Sequence, residues 1–189
     1  MARRAVPLVA GNYYHLYNRG HNRAPIFFRP ENYTFFLQRL HQYVVGPHAS
    51  LVAYALLPNH YHLLLQAQTN SLSHAMQLLG ISYTKAINKR FRRSGALFQG
   101  PFQAKLVDRD AYLLHLSRYI HRNPVDAGLV RRVEDWVYSI YREYIGLRGD
   151  TSLQPEVVLS QFASHDEYRE FVEDCAAREL GVIAHLLLD

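Results

Sequence analysis

The chain has 189 residues, 49% of them hydrophobic, and a formal charge of +5 at pH 7. That is enough apolar material for one domain with a proper core, and no run of about 18 apolar residues is present to cross a membrane. The start, Met1-Ala2-Arg3-Arg4-Ala5-Val6-Pro7, is positive but has no long apolar stretch, so no secretory leader is expected. A single cysteine, Cys175, excludes an intramolecular disulfide and fits a reducing cytoplasm.

Charge is divided along the chain. Residues 150–189 hold 2 of the 21 basic and 9 of the 16 acidic side chains, so residues 1–149 carry +12 against −7 in the tail. A basic body suits a polyanionic partner, although a soluble basic surface has the same composition.

In chain order, Asn12-Tyr13-Tyr14-His15-Leu16-Tyr17-Asn18 alternates and is rich in β-formers, which predicts a first strand. Arg19-Gly20-His21-Asn22-Arg23 turns it. Pro30-Glu31 opens a helix carrying Tyr33, Phe36, Leu37, Leu40 and Tyr43 at helical spacing, ending near Gly46-Pro47. Leu51-Val52-Ala53-Tyr54-Ala55-Leu56 and the segment from His60 to Gln66 read as two strands joined by a hairpin at Pro58-Asn59. Ser71 can cap a second helix that runs to about Arg93, with Met76, Leu79, Tyr83 and Ile87 inward. The following loop contains Phe98 and Phe102, both expected on the surface. A fourth strand spans Gln103-Ala104-Lys105-Leu106-Val107. A third helix is expected from about Ala111 to Asn123, where Pro124 and Gly128 help to stop it.

The order β-α-β-β-α-β predicts an α+β, ferredoxin-like sandwich with an antiparallel sheet, followed by one more helix. We divide the chain into a body, 1–148, and an acidic tail, 149–189. The tail is expected to form a helical appendage over 164–188, with Tyr168, Phe171, Val172 and Cys175 at helical spacing.

Two stretches carry candidate chemistry. In a strand, residues i and i+2 leave the same face, so His60 and His62 point together and Tyr61 points away. On the third helix, Tyr112, His115, Tyr119, Arg122 and Asn123 share a face that is too polar for a core. Packed over the histidines, that face would bring two imidazoles, the Asn123 amide and the Tyr119 phenol to one point. Three neutral N/O ligands with open positions suit Mg²⁺ or Mn²⁺ better than a closed zinc site. Taken singly, each feature has an ordinary reading. A His-x-His pair is often hydrogen-bonded or superficial, a helix tyrosine is commonly a packing residue, and an Asn before Pro commonly ends a helix.

The motif Leu57-Pro58-Asn59-His60-Tyr61-His62, with Arg118-Tyr119-Ile120-His121-Arg122-Asn123-Pro124-Val125-Asp126-Ala127-Gly128-Leu129-Val130 downstream, resembles the single-tyrosine transposases of the HUH class. More closely, it resembles the REP-associated tyrosine transposases and their relatives. Tyr14-His15-Leu16-Tyr17-Asn18-Arg19-Gly20, Arg93-Ser94-Gly95-Ala96-Leu97-Phe98-Gln99-Gly100 and Asp135-Trp136-Val137-Tyr138-Ser139-Ile140-Tyr141 are similar to that group too. The similarity covers about residues 8–145, and the tail lies outside it.

The resemblance implies that His60 and His62 are metal ligands, that Asn123 is the third, and that Tyr119 is the nucleophile. His115 and His121 are substitutes for the third ligand, with His121 off the face. Tyr83, a second conspicuous helix tyrosine, reads as a packing residue. The implied reaction is transesterification of single-stranded DNA beside a hairpin, through a 5′-phosphotyrosine. A phenol has a pKa of about 10, so the site must favour its ionised form or accept its proton. Lys85, Lys89, Arg90, Arg92, Arg93, Arg131 and Arg132 would hold DNA phosphates. Arg118 and Arg122 would clamp phosphates near the tyrosine, and Phe98, Phe102 or tyrosines would stack unpaired bases. Either a monomer or a homodimer fits. A non-catalytic single-stranded nucleic-acid-binding module of the same fold is the competing reading. A zinc hydrolase is weakened by the lack of HExxH or CxxC.

Overall fold

The computed structural model describes residues 7–149, 154–174 and 177–187; Cys175 and the Leu188 end of the expected tail helix lie outside them. Four strands, β1 (Tyr13–Arg19), β2 (Ala49–Leu57), β3 (His60–Ala67) and β4 (Gln103–Val107), form one antiparallel sheet in the order β2-β3-β1-β4. Helices α1 (Pro30–Tyr43) and α2 (Leu72–Arg90) complete the ferredoxin-like sandwich. A third helix, α3 (Asp110–Asp126), follows the last strand.

The pairing register decides what each face carries. Tyr17 lies opposite His62 and Arg19 opposite His60 on β1, while Ala55 and Leu57 lie opposite the same two histidines on β2. Strand alternation then puts His15, Tyr17, Arg19, His60, His62, Ala53 and Ala55 on one face. Tyr61, Leu63 and Leu65 leave from the other. There Phe36 of α1 packs on Tyr61 with ring centroids 5.1 Å apart. Tyr83 of α2 meets Phe36 edge-on, also at 5.1 Å, and donates its hydroxyl to the Ile26 carbonyl at 2.8 Å. Tyr83 is completely buried, as expected of a packing residue.

The hairpin turn at Pro58-Asn59 is tied down from outside the hairpin. Gly20 N–H donates to the Asn59 carbonyl at 2.8 Å, and the Ile26 and Phe27 N–H groups donate to the Pro58 carbonyl at 2.7 and 3.0 Å. The chain passes so close at Gly20 that any Cβ there would run into the Ala24 carbonyl oxygen.

Helix α3 covers the histidine face and packs chiefly on β2. The small Ala53 and Ala55 side chains, both fully buried, let it approach the sheet. Contrary to the sequence expectation, Pro124 lies inside this helix instead of ending it. Its missing N–H costs one bond, and the helix still completes one more turn. Gly128 then closes it at φ 69°, with Gly128 N–H donating to the Val125 carbonyl and Leu129 N–H to the Pro124 carbonyl.

The open edge of β2 is covered by residues 136–140. Leu56 N–H donates to the Tyr138 carbonyl at 2.9 Å, and the Trp136 indole N–H donates to the Leu56 carbonyl at 3.0 Å.

Beyond residue 148 the expected single tail helix is divided. After the short α4 (Tyr141–Tyr144) and α5 (Glu156–Leu159), α6 (His165–Glu173) and a 3₁₀ segment, Ala177–Leu186, stand in its place. Ser164 caps α6, its hydroxyl accepting from Glu167 N–H at 3.1 Å. Val158, Tyr168, Val172, Ile183 and Leu186 join the same buried cluster as the sheet. Tyr168 reaches α3, donating its hydroxyl to Ser117 Oγ at 3.1 Å and lying 2.8 Å from His121 Nδ1.

Two outcomes follow from this packing. Gly20→Ala should lower the urea unfolding free energy by about 2 kcal/mol or more, because backbone must move to admit the methyl. His121 is fully buried, and burial alone lowers its pKa to about 3. Between that value and the ordinary 6.5 the unfolded chain binds the extra proton, so stability falls as pH drops below about 6.5. The contribution is up to about 1.4 kcal/mol per pH unit. Urea midpoints measured from pH 7 to pH 5 should decline, and the decline should be shallower in His121→Phe.

Candidate active site

Helix α3 sets Tyr119 over the histidine face of the sheet. Its ring centroid lies 5.3 Å from that of His62 and 6.4 Å from that of His15. One turn later, Asn123 Oδ1 lies 3.0 Å from His60 Nε2. His60 and His62 stand 5.1 Å apart, centroid to centroid, with their planes at 88°. The sequence therefore named a set that the fold brings together: two imidazoles, an amide oxygen and a phenol.

His60 has oxygens at both nitrogens. Its Nδ1 lies 2.6 Å from Asn59 Oδ1, and its Nε2 faces Asn123. A neutral imidazole has one N–H. The shorter contact takes it, so Nε2 turns its lone pair to Asn123 Oδ1. Two lone pairs at this separation match neighbouring ligands of a small octahedral cation, whose bonds are about 2.1 Å long. Turning the Asn123 amide over makes the same contact an ordinary N–H···N bond, so the pair suits either state. His62 Nε2 is buried and has no hydrogen-bond partner among the described residues. A buried nitrogen without a proton donor is costly unless something else satisfies it. These donors fit a hard divalent ion. Among the described residues no three His, Cys, Asp or Glu side chains are grouped to hold a metal, so an ion on His60 and His62 would draw any further protein ligand from another residue type, such as the Asn123 amide.

Burial lowers the pKa of all three nearby histidines. His62 is pushed well below its usual value, chiefly by burial and then by His15 and His60. His60 is lowered chiefly by burial; the Asn123 oxygen beside its Nε2 favours the protonated ring and opposes the shift, and Arg19 adds to the depression. His15 falls to about 4, again through burial first. Burial thus favours the neutral form of all three.

The polar face of α3 is split between two partners. Tyr119 and Asn123 look to the sheet. His115, Arg118 and Arg122 look to α6. The Arg118 guanidinium lies 4.4 Å from the centre of the Phe171 ring and donates to the Phe171 carbonyl at 3.0 Å. Arg122 donates to the Val172 and Glu173 carbonyls at 3.3 and 3.1 Å. These are last-turn carbonyls of α6, which lack helical partners, so two arginines expected at phosphates cap a helix C-terminus instead. His115 rests against Phe171, and His121 is buried off the site, leaving Asn123 at His60.

Arg19 is a site residue that the sequence pattern by itself does not mark. It lies opposite His60 on the same face, and its Nε donates to Gln99 Oε1 at 3.2 Å. The signal was present in Tyr17-Asn18-Arg19-Gly20, but which residue it would oppose depends on register.

Of the expected DNA contacts, Lys85, Lys89, Arg90, Arg92 and Arg131 are exposed. Helix α2 ends before Arg92, which takes a left-handed φ of 52°. Arg93 then lies over the Phe28 ring at 5.2 Å. Phe28 is 38% exposed and its ring centre is 4.8 Å from that of Phe91, over which Arg29 sits at 5.9 Å. Phe102 is buried, and Phe98 packs edge-on to Tyr61 at 6.1 Å. The aromatic surface beside the basic helix end is therefore Phe28 and Phe91 rather than the two loop phenylalanines. No helix among the described residues is long and apolar enough to cross a membrane.

Comparison with known proteins identifies the fold and the family. A Haemophilus influenzae protein assigned as a REP-associated tyrosine transposase is 33% identical over 101 residues, covering 48% of this chain and 57% of the relative. The match thus spans little more than half of that relative's length. The solved structure of a REP-associated tyrosine transposase bound to a REP hairpin superposes with a TM-score of 0.64 at 15% identity, over 82% of this chain and 98% of the other, and so shares the fold. The family model described as "Transposase IS200 like" matches residues 9–123, from just before β1 to Asn123. With more than half of its length matched by that model, this chain belongs to the IS200-like transposase family.

Proposed function

We propose that the protein nicks and joins single-stranded DNA beside a hairpin, using Tyr119 as the nucleophile. The observation that carries the reading is Tyr119 beside His62, whose Nε2 is bare, with Asn123 one helical turn on at His60. The fold that this chain shares with a REP-associated tyrosine transposase solved on a REP hairpin supports the substrate class.

In this reading the Tyr119 Oη attacks a DNA phosphorus. An O–P bond forms, the bond from phosphorus to the 3′-oxygen breaks, the phenolic proton is lost and the 3′-oxygen gains one. The product is a 5′-phosphotyrosine and a free 3′-hydroxyl, and a second strand end reverses the step without ATP. His60, His62 and Asn123 would hold Mg²⁺ or Mn²⁺. Bound there, such an ion polarises the scissile phosphate and stabilises the charge that develops during attack. The neutral imidazoles supply lone pairs without having to lose protons. Arg19, opposite His60, holds a phosphate oxygen at the reacting centre.

The exposed Lys85, Lys89, Arg90, Arg92 and Arg131 track the backbone, giving affinity and salt dependence without sequence choice. Phe28 and Phe91 offer faces for unpaired bases. Tyr119 and the histidines meet within one chain, which supports a monomer acting in cis, with a homodimer as the alternative.

A covalent-trapping assay on labelled hairpin DNA, including hairpins that flank the protein's own coding region, tests this. Wild type should give a denaturant-resistant adduct in Mg²⁺ or Mn²⁺ and none in EDTA. Tyr119→Phe should lose the adduct by about three orders of magnitude or more. Arg19→Ala should slow its formation by about tenfold or more. Arg122→Ala should lower thermal stability and leave adduct formation within about twofold. Hairpin binding with no adduct in any metal would favour the non-catalytic binding module.

A further inference from the structure

His15 lies fully buried on β1, on the face that α3 covers. Its Nδ1 is 2.6 Å from the Leu186 carbonyl oxygen, and its Nε2 is 2.9 Å from His62 Nδ1. A carbonyl oxygen only accepts, so the His15 proton is on Nδ1. The neutral ring then has a lone pair on Nε2. The proton between the two imidazoles therefore belongs to His62 Nδ1, and His62 Nε2 is left bare. A doubly protonated His15 would reverse this order. That cation would be buried among Leu186, His62, Tyr17, Tyr119 and Lys105, with no carboxylate among them and one like charge. An unpaired buried cation is strongly disfavoured.

We propose that His15, anchored by the Leu186 carbonyl, is a positioning residue: it holds His62 in the Nδ1–H form and so presents the His62 Nε2 lone pair to the site shared with His60, Asn123 and Tyr119. Metal-bound histidines are commonly oriented in this way by an acceptor on the other ring nitrogen. Here the acceptor is a second histidine, and its own proton is placed by a carbonyl 171 residues further along the chain. The last described turn of the tail thus sets proton placement in a site built from the sheet. The metal part of the test rests on the ligand reading under Proposed function; the tautomer part does not.

The test is long-range ¹H–¹⁵N NMR on the full-length, metal-free protein labelled at histidine, near neutral pH, with Mn²⁺ titrations alongside. In wild type, His62 should show a protonated Nδ1 and an unprotonated Nε2, the reverse of the form free histidine prefers. His15→Phe should convert His62 to a mixture and weaken Mn²⁺ binding by about 10- to 100-fold. His15→Gln keeps an acceptor for His62 Nδ1–H and should hold Mn²⁺ affinity within a few-fold of wild type. A proton on His62 Nε2 in wild type overturns the proposal, even where His15→Phe fails to fold. So does a His15→Phe protein whose His62 tautomer and Mn²⁺ affinity are unchanged. If wild type shows the stated tautomer and takes up no Mn²⁺, the proton relay is supported and the metal reading fails.

Discussion

The site depends on the register of β1 against β3. Pairing Tyr17 with His62 puts His15, Tyr17 and Arg19 on the histidine face and leaves Tyr61, Leu63 and Leu65 for the opposite side. A slip of one residue would exchange the two sets and bury the wrong side chains on both faces. Both faces are covered, by α1 and α2 on one side and α3 on the other, so such a slip is resisted twice. The hairpin turn adds a third restraint, because three backbone bonds from residues 20–27 hold Pro58 and Asn59 in place. His60 stands directly after that turn, where a loose hairpin would misplace it.

The same packing explains why α3 carries so much polarity at a buried position. A helix has neighbours on more than one side, and here they ask for different chemistry. The stripe of Tyr119 and Asn123 meets imidazoles on the sheet. The stripe of Arg118 and Arg122 meets the carbonyl end of α6, where cations satisfy oxygens that the helix itself leaves open. His121, on a third side, shares a buried network with Tyr168 and Ser117. The acidic tail thus packs on the back and side of α3, and the Leu186 carbonyl extends its influence to His15.

Electrostatically the centre is an uncharged polar island with cations at its border. Burial favours the neutral form of the three imidazoles, and Arg19 and Lys105 flank them on the same sheet face. Under the proposed function, such a site would take a hard cation on its lone pairs and an anionic phosphodiester along its rim.

Much of this was legible in the residues. Alternation and helical spacing identified four strands and three principal helices, because those periods arise from local backbone geometry. The His-x-His spacing was sufficient to put two imidazoles on one face, and the four-residue step from Tyr119 to Asn123 to put both on one helical stripe. The partners across space were not legible. His15 and Arg19 join the site only through the β1–β3 register, and a strand's own sequence does not say which residue will lie opposite. Arg118 and Arg122 look like phosphate clamps in sequence, and their use by α6 follows from a contact about 50 residues away. Pro124 reads as a stop, but tertiary packing of α3 and the Gly128 closure outweigh one missing bond. Local periodicity therefore determined the elements and the core of the site, while the tertiary structure decided which polar side chains that site would share.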